Sequence, residues 1–142
     1  MKAFFYYTLG LIISATTMCL AQKANPLHSA LTRQSWPARW ISHQDDEGKG
    51  VGVFHFRKEI TLSTVPDSLW IHVSADSRYR LYVNGKWVSH GPAAGDLRHW
   101  QFETLNLAPY LKTGKNVVTA EVWNFGAYNA MAHLSLETGF IL

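Results

Sequence analysis

From Val51 onward the apolar side chains recur at every second position. Phe54 and Phe56 begin the pattern, Leu69, Ile71, Val73 and Ala75 repeat it, and Tyr79, Leu81 and Val83 follow. Val118, Ala120 and Val122 form a later run, with Thr119, Glu121 and Trp123 on the opposite side. A period of two places successive side chains on opposite faces of an extended chain, so each run predicts a strand with one buried face. The i, i+3, i+4 matches of an amphipathic helix are missing, and only Leu107 to Leu111 suits a turn or two of helix. Between the runs lie turn sequences, Val65-Pro66-Asp67-Ser68 and Lys112-Thr113-Gly114-Lys115-Asn116. Asn84-Gly85 accepts the two positive φ angles of a type I′ turn and predicts a hairpin folding Tyr79 to Val83 back on Lys86 to Ser89, in register. Short strands at roughly ten-residue spacing predict an all-β fold, a jelly-roll β-sandwich.

The segment ahead of these strands follows another logic. Lys2 precedes an apolar stretch from Ala3 to Met18, and Cys19-Leu20-Ala21 offers small residues at a cleavage site. Residues 1–21 are expected to be a signal peptide that directs the chain to the periplasm or the outside of the cell. As a membrane anchor the run is interrupted by Thr8, Gly10, Ser14, Thr16 and Thr17 and falls short of the ~20 residues needed to span. Residues 22–35 have no period and contain Pro26, which suits a linker or N-terminal arm, and 36–142 form the sandwich. Asp45-Asp46-Glu47-Gly48-Lys49-Gly50 reads as a surface loop. Thr138-Gly139-Phe140-Ile141-Leu142 is an apolar, β-prone ending that leaves an unprotected edge, so the sandwich is expected to be incomplete at its C-terminus.

Composition narrows the classes of function. At 47% hydrophobic and 16% charged the chain is globular, not disordered. A net charge of +3, with the arginines scattered, carries no nucleic-acid footprint. Cys19 is the single cysteine, so a chain cut after Ala21 has neither a disulfide nor a thiolate metal site. None of the seven histidines falls at a ligand spacing, and His55 and His72 alternate with core positions as solvent-facing or satisfied strand histidines. No cofactor is implied. Asp45, Asp46 and Glu47 could donate oxygens to a structural calcium, but EF-hand spacing is absent and a solvated acidic loop is the simpler reading. Glycoside hydrolysis needs two facing carboxyl groups, and nothing marks a pair among Asp76, Asp96, Glu103, Glu121 and Glu137, so no catalytic residue is assigned.

Two loops combine aromatic and polar residues: Asp96, Arg98, His99 and Trp100 in one, and Trp123, Asn124, Phe125, Gly126, Tyr128 and Asn129 in the other. Sugars present C–H faces that lie on Trp and Tyr rings and hydroxyls that bond Asp, Asn and Arg. Interfaces between domains are enriched in the same side chains. Asp96, Arg98, His99, Trp100, Trp123, Asn124 and Tyr128 are therefore candidates for a ligand site or for a domain interface.

Trp40-Ile41, Phe56-Arg57-Lys58, the run Ser74 to Gly85 with its pattern A-D-x-x-Y-x-L-Y-V-N-G, Gly91-Pro92, Asp96-Leu97-Arg98-His99-Trp100 and Gly114 to Val118 together resemble the N-terminal domain of bacterial α-L-rhamnosidases. The A-D-x-x-Y pattern is shared with galactose-binding-like sandwiches at the front of several glycosidase families, and the Asp-Leu-Arg-His-Trp and Val-Trp-Asn-Phe-Gly segments narrow it. The resemblance runs from about Trp36 to the end. It implies a galactose-binding-like, non-catalytic sandwich preceding a helical-barrel catalytic domain of the same polypeptide, in an enzyme that releases terminal α-L-rhamnose from rhamnose-containing carbohydrate. The family's catalytic motifs have no positions in this sequence, so this chain alone is expected to be inactive. A free-standing carbohydrate-binding module is the alternative.

Overall fold

The computed structural model describes residues 31, 35–43, 50–96, 98–130 and 135–142. The expected signal peptide at 1–21, most of the expected arm at 22–35 and the acidic stretch Asp45 to Glu47 lie outside them. The chain divides into two units, Met1–Trp36 and Pro37–Leu142, and the second holds every strand among the described residues. These are β1 (Gly52–Leu62), β2 (Trp70–Ala75), β3 (Arg78–Val83), β4 (Lys86–Gly91), β5 (Glu103–Asn106), β6 (Gly114–Asn124) and β7 (Phe140–Ile141). Pairing is antiparallel throughout, in a four-stranded sheet of order β1-β6-β3-β4 and a three-stranded sheet of order β5-β2-β7.

The alternation read from the sequence sets which side of each strand is buried. Tyr79, Leu81 and Val83 are fully buried, while Arg80 between them is exposed. Val118, Ala120 and Val122 join them from β6, and Val73, Ala75, Leu107 and Phe140 close the core from the second sheet's side. Phe140 touches both sheets, stacked on Phe56 with ring centroids 5.3 Å apart and edge-on to Tyr79 at 6.3 Å. The apolar ending expected to be an open edge is instead a paired strand. Phe140 and Ile141 pair with Ala75 and Ser74, and the Phe140 N–H and C=O both bond Ile41 at 2.9 Å. The helix allowed at 107–111 is a single 3₁₀ turn, Ala108–Tyr110, ended by Leu111, whose φ of −90° and ψ of 158° return the chain to extended backbone.

The β3–β4 hairpin turns on Asn84 and Gly85, whose φ angles of 52° and 76° match the predicted turn. Its register departs from the simple pairing. Tyr82 faces Trp87, but Leu81 faces Ser89, so a β-bulge at Val88 shifts everything beyond it by one residue. Arg80 therefore sits opposite His90, and Tyr79 opposite Gly91. A Cβ at Gly85 would meet open space, so the effect of a substitution there is purely one of backbone conformation. Gly85→Val is expected to destabilise the domain by about 1–2 kcal/mol in urea unfolding. An unchanged midpoint would show that this turn is not the one the folded chain uses.

Candidate functional site

The loop after β4 begins with a cis Gly91–Pro92 peptide and is organised by Asp96. One Asp96 oxygen accepts the N–H groups of Arg98 and His99 at 2.8 and 2.9 Å, and the other lies 2.9 Å from His99 Nδ1. Short polar side chains stabilise turns in this way, by bonding backbone two and three residues on. The His99 ring, and then the N–H groups of Arg98 and His99, hold the Asp96 carboxyl below its ordinary range. A carboxylate lowered in the folded state contributes its stabilisation above the ordinary range and loses it as pH falls through the lowered value. The loop is thus expected to keep its order at neutral pH and to loosen below about pH 4, seen as a fall in the protection of the Arg98 and His99 amides relative to their intrinsic exchange rates. Asp96→Asn should flatten that acid dependence, and an equally acid-labile variant would remove Asp96 from this role.

Trp100 leaves the loop and meets Trp40, with ring centroids 5.4 Å apart. Gly139 makes room for this pair, because a Cβ there would come within 2.9 Å of the Trp40 ring. Trp40, Trp100, Asp76, Leu136 and Glu137 line a groove of about 300 Å³. Asp76, nearly buried at the end of β2, forms its floor. Its carboxylate accepts the Ser135 hydroxyl and, at 3.1 Å, the Leu136 N–H, while its own N–H donates to the Gly139 carbonyl at 3.0 Å. Asn124, 2% exposed, secures the same segment from β6 by donating to Thr138 Oγ1 at 3.0 Å and accepting the Gly126 N–H at 2.8 Å.

Three of the sequence-derived candidates therefore separate from the rest. Asp96, Arg98, His99 and Trp100 share the loop beside this groove. Asn124 is an internal bracket and offers no free surface. Tyr128 stands 84% exposed in the 3₁₀ turn Gly126–Tyr128. Trp123 lies on the outer face of the four-stranded sheet, its ring 5.4 Å from the Arg80 guanidinium carbon.

Besides Trp123, that outer face holds residues the sequence reading passed over. Arg78, Arg80, Tyr82, Trp87, His90 and Trp123 line a second, shallower groove. The bulge is why it was missed: simple pairing puts Ser89 beside Arg80, and only the shifted register puts His90 there. The exposed Trp87, next to a turn and out of phase with the core, was the available signal.

The carboxylates follow local chemistry. Glu103 accepts the buried Tyr79 hydroxyl at 2.9 Å and the Ala93 N–H at 3.2 Å, and burial pushes the Tyr79 hydroxyl up. His72 meets Thr104 Oγ1 at 3.0 Å, and His55 is exposed. Among the described residues no group of three or more His, Cys, Asp and Glu is placed to hold a metal ion.

The architecture defines an antiparallel β-sandwich domain with aromatic loops at one end. Comparison with solved structures sharpens that class. A GH78 family rhamnosidase of Bacillus sp. GL1 superposes with a TM-score of 0.68 and 27% sequence identity, over 77% of this chain and 12% of its own. The α-L-rhamnosidases of Dictyoglumus thermophilum and Aspergillus terreus give TM-scores of 0.52 and 0.51 at 15% and 20% identity. Those two matches cover 75% and 72% of this chain and 14% and 13% of theirs, and they show the shared fold. No protein-family model and no curated protein matches the sequence. The chain resembles one domain of α-L-rhamnosidases and spans about an eighth of such an enzyme's length.

Proposed function

We propose that this chain is the non-catalytic β-sandwich domain of an exported α-L-rhamnosidase-like glycoside hydrolase that releases terminal α-L-rhamnose from glycans or glycosides. The observation that carries this reading is the superposition of the sandwich on a rhamnosidase of which it covers only 12%. In this role the domain supports a helical-barrel catalytic domain of the same polypeptide. The Trp40–Trp100 groove is suited to that contact, since it joins exposed aromatic area to a floor whose polar groups are already bonded. The carboxylates support a structural part, because Asp76, Asp96 and Glu103 each bond nearby backbone. Sugar recognition by this domain is the second reading, favoured by the aromatic lining around Trp123.

The test begins with the native gene product. An antibody against the sandwich should detect a band severalfold above 16.1 kDa in the secreted fraction, and the immunoprecipitate should hydrolyse an aryl α-L-rhamnoside. The isolated chain should not. A native band near 16.1 kDa with no associated rhamnosidase activity would sink the proposal.

A further inference from the structure

The outer face of the four-stranded sheet carries a groove of about 520 Å³ whose lining is aromatic and cationic. Register places its members side by side. Tyr82 pairs with Trp87, Arg80 with His90 and Arg78 with Trp123, all on the side opposite the buried Tyr79, Leu81 and Val83. Trp87 is 57% exposed and lies nearly parallel to the His90 ring, 20° apart with centroids at 5.9 Å. Across β3, the Arg80 guanidinium rests over Trp123. That cation–π contact fixes both groups without using the guanidinium's hydrogen-bond donors. Glu121, opposite Arg80 in the β3–β6 register, accepts the Tyr82 hydroxyl at 3.2 Å from beside the groove, and none of the residues that line the groove is acidic.

We propose that this groove binds an oligosaccharide containing uronic acid, with a pyranose face on Trp87 and a carboxylate on Arg80. The flat, exposed indole of Trp87 matches the C–H face of a sugar, and the half-buried Trp123 backs the guanidinium. Trp87 and Trp123 stand two strand spacings apart across the sheet and, through Tyr82 and Arg78, four residues apart along β3, roughly 16 Å in all, which suits a chain of linked sugars better than one ring. A guanidinium forks onto a carboxylate in a bidentate pair, and the groove's positive lining complements an anionic ligand. A protein partner fits this face less well. Covering the sheet would also bury the Arg57–Glu59–Lys115 ion cluster further along the same side, whereas interface cores are depleted of charge. A glycan confined to the groove leaves that cluster in water. This inference does not depend on the hydrolase reading, and its failure would leave the structural likeness to rhamnosidases untouched.

Calorimetry of the full chain with tetramers of galacturonic and of mannuronic acid, each also as its methyl ester, tests the proposal. At least one acid tetramer should bind more tightly than its ester, and added salt should weaken it. Trp87→Ala should weaken binding about tenfold or more while leaving the melting temperature unchanged, since the ring is mostly exposed. Arg80→Gln should bring the acid down to the affinity of the ester. Silence from both tetramers at millimolar concentration, the result a face covered by another protein domain would also give, overturns the proposal. So does equal binding of acid and ester, or binding that survives Trp87→Ala.

Discussion

Replacing Phe140 by alanine is expected to lower the stability of the sandwich by about 3–5 kcal/mol, the range for deleting a buried aromatic ring. Three features put Phe140 at that end of the scale. Phe140 is 5% exposed and its ring is the meeting point of Phe56 from β1 and Tyr79 from β3, so its loss opens a cavity between the two sheets. The strand that carries it is only two residues long, so side-chain packing anchors β7 more than its ladder does. Its backbone also holds Ile41 through two 2.9 Å bonds, and Ile41 adjoins Trp40 of the aromatic groove. Urea unfolding followed by tryptophan fluorescence should show the lost stability, and Phe140→Leu should recover more than half of it by refilling the volume. A Phe140→Ala midpoint within error of the parent would mean that the second sheet is not pinned at this point.

The parts of this structure that were legible in the sequence are those governed by a local rule. Alternation alone identifies the inward faces of β3 and β6, because a buried strand face tolerates few polar residues and a shift of one residue would expose all of Tyr79, Leu81 and Val83. Asn84-Gly85 fixes a turn through its φ angles. What was not legible depends on contacts between distant segments. The bulge at Val88 has no marker in Lys86 to Ser89, and yet it sets Ser89 instead of Val88 opposite Leu81 and decides that His90 joins Arg80. Asn124 looks like a ligand residue in a loop rich in aromatics. Its role as a bracket appears only when Thr138, fourteen residues on, packs against it. The ending at Phe140 and Ile141 likewise looks unpaired until Ile41, some hundred residues earlier, lies beside it.

The division of surfaces bears on how such a domain works. The groove at Trp40 and Trp100 rests on polar groups already bonded to Ser135, Leu136 and Gly139, which makes its floor rigid. The face around Trp87 keeps donors available on Arg80. A rigid, mostly satisfied surface suits a permanent contact, and a surface with oriented donors suits an exchangeable ligand. The two are on different elements, so they can be altered separately.

Asn116 is where a single polar substitution is expected to cost the most. It is fully buried at the start of β6 and makes four hydrogen bonds: it accepts from Asn84 Nδ2 at 2.8 Å and the Lys112 N–H at 2.9 Å, and donates to the Lys112 and Gly114 carbonyls at 2.7 and 3.0 Å. Asn84 extends the network, donating to the Tyr110 carbonyl at 2.9 Å and accepting the Val117 N–H at 3.0 Å. Two asparagines thus tie the hairpin turn, the 3₁₀ turn and β6 together. Asn116→Leu keeps a similar volume but strands these partners without bonds, at a cost of about 3–5 kcal/mol. Lys112→Ala, which preserves the backbone groups Asn116 uses, should change stability by no more than about 0.5 kcal/mol. Asn84→Gly keeps the positive φ of the turn and removes only the side chain, so it isolates the network from backbone strain. Because Asn84 and Asn116 bond each other, the double substitution should cost less than the two single losses added, by about 1 kcal/mol. Strict additivity would show that the asparagines act independently and that β6 is held to the hairpin by its strand ladder alone.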